Sequence, residues 1–212
     1  MANFTADKVT VSLKGISLFQ PLSFEVRPGK VLAIMGPSGR GKSSLLSYIA
    51  GSLQQPLVGS GQLKVDARNI ETLAIEQRKV GLLYQDDLLF PHMTVGENLL
   101  YACSQKVSKM QRVQVVRSSL TNVSLNGFFD RFPETLSGGQ RARVSLLRTL
   151  LSEPEVILLD EPFSKLDKSL RGEFRNFVFE MIKQKQIPCI LVTHDRDDAP
   201  MDSTILNLEV FS

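Results

Sequence analysis

Apolar and polar residues alternate along 8–13 (KVTVSL) and again along 22–27 (LSFEVR). That period of two predicts half-buried strands, here an antiparallel pair. The Pro28-Gly29 turn then leads into the wholly apolar run 31–35 (VLAIM). Residues 61–65 (GQLKV) suggest an edge strand, and 79–85 (KVGLLYQ) a short apolar strand ending on a polar residue. From 86 to 151 the pattern becomes helical. Thr94 and Glu97 form a capping box, Val107, Met110, Val113, Val116 and Leu120 recur at spacings of three and four, and Ser137 opens a helix over 138–151. After Pro154 strands return at 156–159, 187–192 and 204–209, and the helix between the first two carries Phe174, Phe177, Val178 and Met181 on one face. The whole predicts one α/β domain over 1–212. Its core is a mainly parallel sheet built from 1–85 and 153–212, with an antiparallel β subdomain and a helical insertion over 86–152.

The bulk numbers narrow the class. The 212 residues are 42% apolar and 22% charged, as in a soluble globular protein. A net charge of +3 gives no electrostatic case for nucleic acid, and none is expected as a partner. Cys103 and Cys189 lie far apart and match no metal-binding spacing, and Cys189 sits in an apolar run, as a buried thiol does. No signal-peptide pattern opens the chain, and no apolar run is long enough to span a bilayer. Work at a membrane would therefore require docking on a partner. Lys106, Lys109, Arg112 and Arg117 make the middle helix of the insertion basic, which reads as a solvated face.

The apolar run 31–35 is followed by Gly36-Pro37-Ser38-Gly39-Arg40-Gly41-Lys42-Ser43, which fits G-x-x-x-x-G-K-[ST], and then by a helical stretch from Ser44 to a stop at Gly51. Strand, glycine loop and helix together make a phosphate cradle. The glycines let backbone N–H groups close on phosphate oxygens, and the helix dipole presents its positive end to the same anion. Lys42 can reach the β- and γ-phosphates, and the Ser43 hydroxyl can ligate Mg²⁺. A second strand, 156–159, ends on Asp160 and Glu161. Ligands of open α/β sheets lie beyond the carboxyl ends of the strands. Asp160 is thus placed to hold Mg²⁺, and Glu161 to polarise water for attack on the γ-phosphate. Leu136-Ser137-Gly138-Gly139-Gln140 is a second anion-binding helix start, a run expected by composition in fewer than about one chain in a thousand.

With these residues the chain resembles the ATP-binding-cassette ATPases over essentially its whole length. Six motifs occur in family order: the P-loop 36–43, the Q-loop glutamine Gln85, the signature 136–140, the acid-terminated strand 156–160 with Glu161, a D-loop at Ser164-Lys165-Leu166-Asp167, and the H-loop histidine His194. The resemblance implies a P-loop NTPase fold and ATP hydrolysis with Mg²⁺. It also implies a head-to-tail dimer in which Ser137, Gly138, Gly139 and Gln140 of one copy meet the γ-phosphate held by the other. Gln85 would sense Mg²⁺ and water, Asp167 would join the two sites, and His194 would contact the γ-phosphate; Ser44 joins the P-loop in contacting nucleotide. The phrases FPHMTVGEN (90–98) and LSGGQRAR (136–143) are most similar to bacterial importer ATPases for small solutes, and 160–167 with Leu13 and the compact length to the YnjD-like subgroup. In such importers the segment Asp86-Asp87-Leu88-Leu89-Phe90-Pro91 would help form a groove for a membrane permease, and a solute-binding protein would act indirectly. The protein would then lie on the cytoplasmic face of the membrane as a peripheral subunit. The alternative is a soluble cassette ATPase of an assembly or nucleic-acid machine.

The chain departs from the family pattern in two places. The aromatic residue that usually stacks on adenine is replaced by Leu13. The chain also ends soon after His194, with Pro200 shortening the next helix, so no C-terminal regulatory domain or substrate-inhibition site is expected. Leu13 offers the base apolar contact without ring stacking. The chain is therefore expected to discriminate weakly between ATP and GTP. Near-equal affinities by calorimetry would agree with this, and a strong preference for ATP would contradict it.

Overall fold

A computed structural model describes residues 2–37, 39–164, 166 and 168–208, the side chains of 168–170 excepted. In chain order the elements are β1 (Phe4–Leu13), β2 (Ile16–Ser17), β3 (Leu22–Val26), β4 (Val31–Met35), α1 (Lys42–Ala50), β5 (Leu57–Val65), β6 (Arg68–Asn69), α2 (Ile75–Arg78) and β7 (Val80–Leu83). Then follow α3 (Val95–Ala102), α4 (Lys109–Asn122), α5 (Gly138–Leu151), β8 (Val156–Asp160), α6 (Lys168–Lys185), β9 (Cys189–Val192) and β10 (Thr204–Asn207). They fall into two compact units, the first of residues 1–82, 155–161 and 177–212, the second of 83–154 and 162–176.

The first unit holds two sheets. In one, β1 pairs antiparallel with β2, β3 and β5, and β6 closes the far edge. The segment expected as an edge strand is thus longer than its sequence signal and lies between β1 and β6. β1 likewise starts four residues before the alternation is visible. A register shift between Ala6 and Val9, with Lys8 at φ 49°, flips the parity of the strand. Phe4 and Ala6 before it and Val9 and Val11 after it therefore all reach the core.

The other sheet runs β10-β4-β9-β8-β7. β10 and β9 flank β4, β8 follows β9, and these pairings are parallel. β8 and β9 are buried along almost their whole length, which explains their unbroken aliphatic runs. The register sets Ile34 opposite Val192 and Val192 opposite Asp160. α1 packs against β1, β5 and β8, with Leu45, Leu46 and Ile49 fully buried.

α1 ends on Gly51, whose φ of 84° is left-handed and suits glycine. A side chain there would also collide with Arg78. Arg78 is buried, and its guanidinium donates to the carbonyl oxygens of Tyr48 (2.7 Å), Ile49 (3.1 Å), Leu73 (3.0 Å) and Glu71 (2.7 Å). Two of these belong to the last turn of α1, where carbonyls lack intrahelical partners and a cation suits the dipole.

In the second unit α3 packs on α4 and α5. Capping boxes start all three helices, at Thr94, Ser108 and Ser137. Val116 and Leu120 of α4 are buried, but Met110 and Val107 are exposed, so the buried face covers only the C-terminal part of the expected stripe. Asn98 is fully buried; its amide donates to the carbonyls of Phe90, Met93 and Thr94 and accepts from the Phe90 N–H, fixing the loop ahead of α3. Cys103 and Cys189 are both buried free thiols.

Replacing Arg78 by Met should strand several buried carbonyls. The expected loss is about 2–4 kcal/mol, measured by urea unfolding. A change within about 0.5 kcal/mol, typical of a surface substitution, would contradict this explanation of how α1 is held.

Candidate functional site

The parallel register of β4, β9 and β8 determines what meets at their carboxyl ends. Gly36 follows β4 by one residue, His194 follows β9 by two, and Glu161 directly follows β8. Because Ile34, Val192 and Asp160 lie abreast, the three continuations emerge side by side. The Glu161 N–H donates to Val192 O at 3.0 Å and the Thr193 N–H to Ile34 O at 3.3 Å, which extends the ladder past the strands.

The glycine loop turns tightly into α1. Gly39 and Gly41 have φ of 76° and 87°, and a Cβ at Gly41 would press on Phe19 and Leu18 at 3.1 and 3.2 Å. The loop is thus wedged between the start of α1 and the segment after β2. Lys42 is buried, and its ammonium donates to Gly36 O at 2.7 Å and Pro37 O at 2.8 Å, so the side chain folds back along the loop. Arg40 and Ser43 are exposed and Ser44 is half-buried. The Ser43 hydroxyl donates to Asp160 Oδ1 at 3.1 Å.

Burial pushes the Asp160 carboxyl above the usual carboxylate range. The Ser43 hydrogen bond opposes that push, the neighbouring Glu161 charge adds to it, and Lys42 draws it back. A carboxylate held at such a cost gains from a cation beside it. A hydroxyl and a carboxylate oxygen are hard donors of the kind Mg²⁺ takes with water and phosphate oxygens, and their adjacency fits that ion. Glu161 has φ 45°, a left-handed backbone that costs a non-glycine residue about 1–3 kcal/mol. This conformation belongs to the turn in which Glu161 Oε2 lies 3.3 Å from His194 Nδ1. Lys42, Ser43, Asp160, Glu161 and His194 are thus gathered at one end of one sheet.

Leu13, on the antiparallel sheet of the same unit, ends β1 with Ile16 and Leu57 as its cross-strand partners. It is 38% exposed and Ile16 74%. The surface there is aliphatic and open.

The second unit carries the remaining candidates. Gln85 donates through its side-chain amide to Ser164 Oγ at 3.1 Å. Ser137 caps α5, accepting from the Gln140 N–H at 3.3 Å, while its own N–H donates to Gln140 Oε1 at 2.9 Å. Gly138 is exposed, with open space where a side chain would lie. A cavity of about 320 Å³ is lined by Gln85, Asp87, Gly138 and Arg141 among others. Ser38 and Asp167 lie outside the described residues.

Three contributors were not visible in the sequence. Arg141 bonds Asp87 at 2.8 Å and Leu136 O at 2.7 Å, which ties the signature helix to the segment after Gln85. Thr193 and Asp198 are buried beside His194 and bonded to each other. No local pattern announces a pair such as Arg141 and Asp87, and Thr193 and Asp198 read as ordinary loop polars. Among the described residues, no helix is long and apolar enough to cross a membrane.

Known proteins are similar to this chain in sequence. A family model described as "ABC transporter" matches residues 19–164. The "Uncharacterized ABC transporter ATP-binding protein YnjD" of Escherichia coli K12 is 43% identical over 204 residues, 96% of this chain and 94% of that protein. The "Fe(3+) ions import ATP-binding protein FbpC" of Escherichia coli O157:H7 is 37% identical over 192 residues, 90% of this chain. The chain spans 54% of that relative's length. The "Probable sulfate/thiosulfate import ATP-binding protein CysA" of Chlorella vulgaris is 37% identical over 190 residues, 88% of this chain and 79% of that one. The glycine loop, the acid-terminated strand and the histidine turn therefore sit in a chain that belongs to the ATP-binding-cassette transporter family, as one of its ATP-binding proteins.

Proposed function

We propose that this cassette ATPase energises a membrane importer of a small solute, with a second copy of itself, a permease and, indirectly, a solute-binding protein as partners. The contact between Glu161 and His194 beside the Ser43–Asp160 pair carries the reading. It puts a base candidate, a phosphate-facing donor and a cation site at the end of the loop that grips phosphate. The names of the iron and sulfate relatives, both import ATP-binding proteins, support the import direction.

Each residue has its own part in the reaction. The N–H groups of the glycine loop and α1 take phosphate oxygens, and the Lys42 ammonium exchanges its loop carbonyls for the β- and γ-phosphates. Ser43 and Asp160 would hold Mg²⁺, which would offset charge on the phosphates; the family likeness implies Gln85 as a further ligand. Glu161 accepts a proton as a water oxygen bonds to the γ-phosphorus, and the bond from that phosphorus to the β-bridging oxygen breaks to leave ADP. His194 donates to the γ-phosphate and orients Glu161. Ser137, Gly138, Gly139 and Gln140 serve the triphosphate of the second copy, and Asp167 links the two sites. Leu13 and Ile16 offer the base an aliphatic surface. Closure of the dimer on ATP and opening after hydrolysis then drives the permease from the cytoplasmic face.

Glu161→Gln should keep ATP binding, lower turnover by about 100-fold or more, and accumulate as a dimer by gel filtration with ATP. Hydrolysis at the parent rate would show that Glu161 is not the base. Purification of the tagged chain from its native membranes should bring an integral membrane protein with it. Recovery of soluble partners alone would favour the assembly-machine alternative.

A further inference from the structure

His194 stands on a turn whose shape is set by groups that the site itself does not use. Thr193, immediately before it, is 1% exposed, and Asp198 is 2% exposed. The Thr193 hydroxyl donates to Asp198 Oδ2 at 2.8 Å and accepts from the Asp195 N–H at 3.1 Å. One hydroxyl thus bridges over His194, using its proton toward Asp198 and a lone pair toward Asp195. The Thr193 N–H is fastened to Ile34 O in the strand that feeds the glycine loop. At the far side, Asp195 accepts from the Asp197 N–H at 3.0 Å and opens the single 3₁₀ turn Arg196–Asp198, which returns Asp198 to the buried hydroxyl.

The chemistry of this pair is unusual for a loop. A carboxylate is seldom buried without donors, and a loop that only needed to turn could do so with exposed polar groups. The arrangement instead fixes the backbone on both sides of one residue whose imidazole is more than half exposed, at 55%, and lies 3.3 Å from Glu161.

We infer that Thr193 and Asp198 are positioning residues for His194: their buried hydrogen bond holds the turn in the shape that sets the imidazole against Glu161. The inference rests on the role proposed for His194 at the triphosphate. The two residues are buried and act through His194. A loop free to shift by an ångström would lose alignment at the γ-phosphate, not affinity for the nucleotide gripped by the glycine loop.

Thr193→Val keeps the shape of the side chain and removes the hydroxyl. Its effect is read as kcat and KM for ATP in the parent and in a His194→Ala background, with Thr193→Ser alongside and Thr193→Ala if the valine variant does not fold. The expected result is a kcat about 10- to 100-fold lower, with KM changed by less than about threefold. Thr193→Ser should recover most of the rate, and there should be no further loss in the His194→Ala background, because residues acting as a unit are not additive. A parent-like kcat in Thr193→Val would overturn the inference. So would an equal loss in both backgrounds, which is the mark of a purely structural role. A normal rate in His194→Ala alone would instead defeat the underlying proposal for His194.

Discussion

The candidate site of the first unit depends on three parallel strands ending level. Ile34, Val192 and Asp160 lie abreast in β4, β9 and β8. A one-residue slip in any of them would turn its side chains to the opposite face and carry its terminal chemistry out of line. Burial makes such a slip expensive, since β8 and β9 are apolar almost throughout and enclosed. The hydrophobic core therefore acts as the alignment device for polar residues that contribute nothing to it. The backbone bonds from Glu161 to Val192 and from Thr193 to Ile34 carry the alignment into the loops.

α1 links that alignment to the glycine loop. Its start is wedged by Leu18 and Phe19 against Gly41, and its end is held by the buried Arg78. Both ends of the helix are thus fixed before any ligand arrives, which limits the ordering cost of binding a polyanion at its N-terminus. The second unit handles its own helix start differently. Capping at Ser137 engages a lone pair of the hydroxyl, not its proton, and leaves the first N–H groups of α5 facing out from an exposed glycine. That end would suit a phosphate brought by the second copy proposed above.

What the sequence disclosed was local. The glycine loop, the acid pair after an aliphatic run, the capping box at Thr94 and the start of α5 at Ser137 with its extent are each signalled within a few residues. The start of β1 was not, because the shift near Lys8 reverses the parity that sequence reading relies on. The placement of β5 was not, because its partner β6 is two residues long and has no pattern of its own. Arg78, Arg141 and the Thr193–Asp198 pair were also missed. Each works through groups brought near by folding, or, for Thr193 and Asp198, through burial that an ordinary loop does not announce. Leu13 was legible as a departure, but its neighbour Ile16 gained meaning only from the strand pairing that sets the two opposite each other.

Strand register alone should bring Lys42, Asp160, Glu161 and His194 to one triphosphate. A crystal structure of the chain with Mg²⁺ and a non-hydrolysable ATP analogue tests this most directly. The γ-phosphate is expected within hydrogen-bond reach of the Lys42 ammonium and the His194 imidazole, with the ion against Ser43 and a water between the γ-phosphorus and Glu161. A triphosphate seated in the glycine loop whose γ-phosphate points away from Glu161 and His194 would contradict it.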